Sequence, residues 1–202
     1  MLFQLAQKIR CKIPALWHSI EYANEFLFSL RYYRTLKQLN KVQISDSGFV
    51  FRLLRPEDSD SLCNFFSRQP KQAFEFFKPH KFDSDTLSKL LSNRAFIAVG
   101  TFDNTKIIGY AFIRCFFTGK AFRGKIVDFQ YRGKGIAKDM CLVITEISEL
   151  LHLKQYGTIS RKNLASMNSS KAVNYIEVVK ELENDNLLIR YLPITQQTKY
   201  LN

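Results

Sequence analysis

One short segment in the second half of the chain constrains its fold more than any other: Asp128-Phe129-Gln130-Tyr131-Arg132-Gly133-Lys134-Gly135-Ile136-Ala137. The apolar pair Ile126-Val127 leads into it, with Phe129 just beyond. Met140, Leu142, Val143, Ile144, Ile147, Leu150 and Leu151 follow at helical spacing. The segment therefore reads strand, glycine-containing turn, helix. Such a junction aims the free N–H groups of the first helical turn at one point, where the helix dipole adds positive potential. An anion, above all a phosphate, is its natural guest. Gly133 and Gly135 lack a Cβ, so the backbone can bend sharply and approach a ligand closely. Arg132, Lys134 and Lys138 add mobile positive charge.

Two familiar phosphate loops fit this segment badly. The Walker pattern needs two glycines with four residues between them and then Lys-Ser/Thr, which this loop lacks. The dinucleotide fingerprint needs a third glycine, and Lys138 stands there; it also needs the loop near the start of a βαβ unit. A helix start that uses glycines only for a tight turn is the plain alternative.

The segment resembles a third loop closely. Arg132-Gly133-Lys134-Gly135-Ile136-Ala137 is similar to the Arg-x-x-Gly-x-Gly/Ala loop with which the GCN5-related N-acetyltransferases (GNATs) hold the diphosphate of acetyl-coenzyme A. The approach, Ile126-Val127-Asp128 and then Tyr131 to Ile136, matches the family as well.

The rest of the chain agrees in order. Phe49 to Leu54 reads as a strand, and Arg55-Pro56-Glu57-Asp58 as a helix start. The strand-to-helix step Arg-Pro-x-Asp again resembles the opening of the family's domain. An aromatic-rich stretch follows, with Phe65, Phe66, Phe74, Phe76, Phe77 and Phe82 broken by Pro70 and Pro79. A helix is predicted from Ser84 to Ser92, with Ser84 and Asp85 as caps. Two β-rich runs, Ala95–Gly100 and Lys106–Ile113, flank Asp103-Asn104 as a hairpin. After a turn at Thr118–Lys120 comes the strand ending at Phe129, then the loop and its helix. Gln155–Ser160 reads as a strand, Asn163–Tyr175 as a helix, and Ile176–Glu183 with Leu187–Tyr191 as a hairpin turning at Asn184–Asn186. The resemblance covers residues 49–192. It implies an α+β fold, a mixed, mostly antiparallel twisted sheet flanked by helices, occupying residues 48–202.

Residues 1–47 lie outside the resemblance. Pro14 separates a short helix from a longer one, in which Leu16, Ile20, Ala23, Leu27 and Leu30 form a helical stripe. Trp17, Tyr22, Phe26 and Tyr33 occupy another face. Ser45-Asp46-Ser47-Gly48 reads as a linker. The acids Glu21 and Glu25 interrupt the basic character that a membrane-surface helix would want. This N-terminal helical extension is therefore expected to pack on the domain or on a second copy of the chain, which leaves a homodimer open.

A formal charge of +12 suggests an anionic partner or simply a basic, soluble surface. No zinc-finger, helix-turn-helix or RNA-binding aromatic signature is present, so nucleic acid is not an expected partner. Cys11, Cys63, Cys115 and Cys141 are far apart and suggest neither a metal site nor a disulfide framework; Cys115 and Cys141 read as reduced core residues. No apolar run is long enough to span a bilayer and Met1-Leu2-Phe3 opens no signal peptide, so a cytoplasmic protein is expected.

The resemblance also implies a site. The co-substrate acetyl-CoA would lie between two splayed parallel strands, with its pantetheine on backbone groups of Val127 and Phe129. Its diphosphate would sit on Arg132, Gly133, Lys134, Gly135, Ile136, Ala137 and Lys138. The family's second cofactor motif is matched by Asn163 and Ser166, or by Asn168 with Tyr175, and Tyr175 is the implied acid for the leaving thiolate. The usual Gly-Phe after that Tyr is absent. Phe77 and His80 fall in the stretch that forms the acceptor wall. Ala121 to Lys125 carries no carboxylate to act as base, so water, Asp103, Glu75, His80 or the substrate would take the proton, while Asp128 reads as structural. The activity implied is acetyl transfer to a primary amine of a small molecule or amino sugar. Protein N-acetylation and a non-catalytic acyl-CoA-binding module are the alternatives.

Overall fold

The computed structural model of the protein describes residues 14–39, 43–46 and 48–194. The expected first short helix, Cys11 and the side chains of Leu16 and Trp17 lie outside the described residues.

Eight strands form one sheet: β1 (Gln43–Asp46), β2 (Phe49–Leu53), β3 (Phe96–Asp103), β4 (Lys106–Phe116), β5 (Lys120–Val127), β6 (Lys154–Ser160), β7 (Asn174–Glu181) and β8 (Asn186–Pro193). Their order is β1-β2-β3-β4-β5-β6-β8-β7, and every pairing is antiparallel except β5 with β6. The fold class expected from the resemblance is the one observed. The stretch that reads as a linker differs: Ser45 and Asp46 belong to β1, which pairs with β2 before Gly48 turns at φ +78.

Helices cover both faces. On one, α1 (Pro14–Leu39) and α4 (Ile136–Leu150) enclose a core of Phe28, Leu39, Ile108, Ile113, Met140 and Ile144. On the other, α2 (Ser59–Ser67) and α3 (Ser84–Ser92) bury Leu62, Phe65, Leu87 and the Tyr110 ring. A short helix, α5 (Leu164–Lys171), packs on α4 through Cys141 and Ser170. Cys115 and Cys141 are buried free thiols.

Local chemistry explains the element ends. α3 starts where predicted, but its cap is Asp83, whose carboxylate accepts from Thr86 N–H at 2.8 Å; Ser84 and Asp85 already lie inside the helix. Asn104 (φ +52) turns the β3–β4 hairpin, and Asn184 and Asp185 (both φ +57) turn β7 into β8. Asn163 caps α5 by accepting from Ser166 N–H at 3.1 Å. That helix ends at Lys171, so Tyr175 lies on β7 and not on the predicted helix.

The docking of α1 departs from its apolar pattern. Ile20, Leu27 and Leu30 of the expected stripe are exposed, and Phe28, Tyr32 and Leu39 are buried instead. Polar residues decide the orientation. Asn24 donates to Cys115 O at 3.0 Å and accepts from Phe117 N–H at 3.1 Å, and Arg31 donates to Phe117 O at 2.7 Å. Glu21 pairs with Arg114 at 3.6 Å, and Glu25 accepts from Arg94 N–H at 3.1 Å. These bonds satisfy backbone groups that packing would otherwise strand. The helix departs from helical geometry at Tyr32 (φ −109, ψ 16).

Candidate active site

β5 and β6 pair only at Lys120–Phe122 with Lys154–Tyr156, after which no further pairing joins them. The other edge of β5 stays bonded to β4 along its whole length. Asp128 N–H donates to Ile108 O at 2.8 Å, which fixes the alternation of that ladder. Residues 126 and 124 then face β4, while Lys125 and Val127 turn their N–H and C=O groups toward β6, where no strand meets them. A V-shaped opening lined by bare peptide groups results. Val127 is the last residue of β5, with its peptide groups on the open side. Phe129 does not extend the strand as expected: it begins a single 3-10 turn, and its N–H already donates to Gln69 Oε1 at 2.9 Å.

The glycine loop follows. Gly133 and Gly135 have φ of +82 and +83, the left-handed region that glycine enters without cost. A Cβ at either would meet nothing within 4 Å, so the space in front of the loop is open. Gly135 is the N-cap of α4 and offers no side chain to its first turn, so the N–H groups of Ile136 and Ala137 are left to a ligand. Lys138 N–H is partly committed, donating to Gly135 O at 2.8 Å. Arg132 lies over the Phe129 ring at 4.7 Å and Lys134 over Tyr131 at 4.7 Å, both exposed.

Asp128 braces the loop. It is buried and accepts from Gln130 N–H at 3.0 Å and from Arg68 Nε at 3.1 Å. Burial alone would raise its carboxyl. The hydrogen bonds from Gln130, Gln69 and Arg68 outweigh that and hold it below the usual carboxylate range. An ionised, fully bonded carboxylate is a brace, as the sequence reading has it. Asp103 is likewise engaged, accepting from Tyr131 O–H at 2.8 Å. A cleft of about 320 Å³ opens beside the turn, between Arg68–Pro70 and Asp128–Gln130.

On the α2–α3 face, His80 is held in an aromatic cage of Phe66, Phe82, Phe96, Tyr110 and Phe112. Its Nδ1 lies 2.7 Å from Lys81 O and must carry the proton. Nε2 therefore accepts from Tyr110 O–H at 3.0 Å. Burial pushes the Tyr110 phenol far above its ordinary value, so it stays a donor. Phe77 is half-buried beside Tyr110 and Phe112, and a Cβ on Gly124 of β5 would strike the Phe112 ring at 2.7 Å. This wall thus reaches β5 from the side opposite α4.

On the α4 side, Lys125 Nζ donates to Ser170 Oγ at 3.1 Å. Arg123 donates to Thr145 at 3.0 Å and Gln155 at 2.7 Å, and lies over the Tyr191 ring at 3.3 Å. Burial would raise the Cys141 thiol, but the charges of Lys125 and Arg123 bring it below its ordinary value. Tyr175 pairs with Leu192 near the closed end of the V, 65% exposed, and its hydroxyl makes no hydrogen bond among the described residues. Ser166 is half-buried and Asn168 exposed on α5.

Sequence reasoning missed Gln69, the Arg68–Asp128 pair, the His80–Tyr110 pair and the Arg123–Lys125 cluster. Their partners are 22 to 60 residues away, and no spacing rule links them. Among the described residues no group of three His, Cys, Asp or Glu could hold a metal, and no helix is long and apolar enough to cross a membrane.

No protein-family model matches the chain, and no curated protein matches it by sequence. Solved structures do match. The GNAT domain of the S. lividans protein PAT aligns with TM-score 0.62 at 10% identity, over 71% of this chain and 90% of that one. The ribosomal-protein-S5-alanine acetyltransferase of Vibrio fischeri gives 0.61 at 15% identity, over 79% and 100%. The PaiA N-acetyltransferase of Thermoplasma acidophilum, in complex with coenzyme A, gives 0.59 at 16% identity, over 73% and 98%. At these identities the likeness lies in the backbone. The sheet order, the parting of β5 from β6 and the glycine loop at the start of α4 agree with it, and this chain has the fold of the GCN5-related N-acetyltransferases.

Proposed function

We propose that the protein is an acetyl-CoA-dependent N-acetyltransferase that acetylates a primary amine of a small molecule or amino sugar. The observation that carries the reading is the coincidence, at the end of β5, of unpaired strand edge and open glycine loop. The peptide groups of Lys125 and Val127 would pair with the pantetheine amides. The N–H groups of Ile136 and Ala137, with Arg132 and Lys134 nearby, would hold the diphosphate. When bound, acetyl-CoA supplies an activated acetyl thioester.

The chain's own residues then have defined tasks. Backbone N–H groups facing the opening stabilise negative charge on a carbonyl oxygen there. Tyr175 is the acid that the family resemblance implies; its phenol is free to donate, but it stands on the edge strand β7 with β8 and β6 between it and β5, so the role rests on the resemblance alone. Phe77 and the His80–Tyr110 pair shape the acceptor side. His80 has its Nε2 lone pair committed to Tyr110, so it positions the wall. The attacking amine passes its proton to water. Structural neighbours that supply the analogy include an aminoglycoside acetyltransferase in complex with paromomycin and acetyl-CoA, and a spermidine N-acetyltransferase chimera. A cytosolic location, with residues 48–202 as the catalytic unit and residues 1–47 as its extension, belongs to the same reading.

One observation favours a second reading. β5 offers no carboxylate, and Asp128 and Asp103 are both bonded. A module that binds acyl-CoA without turning it over needs no base. Thermal melts with acetyl-CoA, followed by thiol release with a panel of amines, separate the two. A melting shift plus release with an amine supports the enzyme. A shift with no release on any small or protein amine supports the module, and no shift at millimolar acetyl-CoA refutes both.

A further inference from the structure

The outer face of α1 is apolar, aromatic and cationic, and nothing described covers it. Tyr22, Phe26 and Leu30 are 73%, 61% and 71% exposed and recur every four residues along one side of the helix, and Tyr33, 53% exposed, follows just past the kink at Tyr32. Phe117, 42% exposed, lies next to α1 through its bonds to Asn24 and Arg31. Scattered single apolar residues on a surface are ordinary, but a continuous stripe of this kind marks an interaction site.

The charges around it select the partner. Arg34 and Lys37 are exposed on the last turns of α1, Lys37 Nζ lies 4.5 Å from the Tyr33 ring centre, and Arg31 reaches the same patch through its bond to Phe117 O. The acids that interrupt the pattern in the sequence do not interrupt it in space. Glu21 and Glu25 point inward, to Arg114 and to Arg94 N–H. The helix therefore presents aromatic rings with cations beside them and turns its half-buried carboxylates toward the domain. A second copy would bring the same cations, and another +12 of charge, against the first. A bilayer with anionic headgroups complements both the rings and the charge, and its interface is where Tyr and Phe side chains with flanking Lys and Arg partition.

We propose that the outer face of α1 docks the protein on an anionic membrane surface, as a peripheral contact that spans nothing. Vesicle flotation of the full chain tests it, with phosphatidylcholine vesicles with and without phosphatidylglycerol. The protein should float with the anionic vesicles, sediment with the neutral ones, and lose binding as salt rises. Phe26→Glu with Leu30→Glu should abolish flotation, and Arg34→Gln with Lys37→Gln should weaken it about 25-fold, about fivefold per cation removed. All four positions are exposed, so the fold should survive, and the comparison of vesicle types stands without any variant. Failure to float, equal flotation with neutral vesicles, or binding untouched by Phe26→Glu and Leu30→Glu would overturn the proposal. So would a dimer that ignores vesicles and is split by those two substitutions, which would assign the face to a second copy. None of these outcomes depends on turnover or on acetyl-CoA, so the proposal stands or falls apart from the acetyltransferase reading.

Discussion

Gly135→Val separates the cost to the fold from the cost to the ligand. Gly135 sits at φ +83 and ψ −15 as the N-cap of α4. An L-residue there costs about 1–2 kcal/mol in backbone strain, more at the upper end for a β-branched side chain. Nothing lies within 4 Å of the new Cβ, so no clash adds to this. For a domain of this size each kcal/mol moves Tm by about 2–4 °C, so the variant should melt about 2–8 °C lower and still fold cooperatively. The ligand loses far more. Valine methyls in the open space before the loop keep a diphosphate from the N–H groups of Ile136 and Ala137. Each hydrogen bond to a charged group contributes about 1.5–3 kcal/mol, so losing both weakens binding by about a hundredfold or more. Circular dichroism melts give the first number and calorimetric titration with acetyl-CoA the second. A folded variant with unchanged affinity would refute the assignment of the loop.

Three further outcomes follow from the same geometry. Asn24→Ala removes both bonds that seat α1 on Cys115 and Phe117, and should cost about 1–3 kcal/mol in denaturant unfolding; a cost near zero would mean that apolar contacts alone orient the helix. Asp128→Asn should lower Tm at neutral pH and flatten the acid limb. A carboxyl held low in the fold stabilises it fully above the unfolded value of about 3.9 and loses that stabilisation as pH falls through the lower folded value, so wild type and variant should converge below about pH 4. Tyr175→Phe should lower kcat at least tenfold with acetyl-CoA affinity unchanged, as expected of a proton donor, and equal kcat would remove Tyr175 from the mechanism.

The chain's local pattern determined its elements. β2, α3, the second hairpin and the strand–loop–helix junction stand within a residue or two of where alternation, helical spacing and turn residues place them, and the first hairpin turns where expected with each strand running three residues longer, because each is set by neighbours in sequence. The glycine loop is legible for the same reason: its φ angles and its free N–H groups belong to one short run. Tertiary structure decided the rest. The opening between β5 and β6 exists because α4 returns the chain to a strand that pairs at one end only, a relation between residues more than 30 apart. Phe129 looked like strand and became a turn because Gln69, 60 residues earlier, takes its N–H. The apolar stripe of α1 ended on the outside because Asn24, Glu21 and Glu25 found strand-end partners on the sheet. Burying bonded polar groups there outweighed burying Ile20, Leu27 and Leu30, a competition between surfaces that a one-dimensional pattern does not contain.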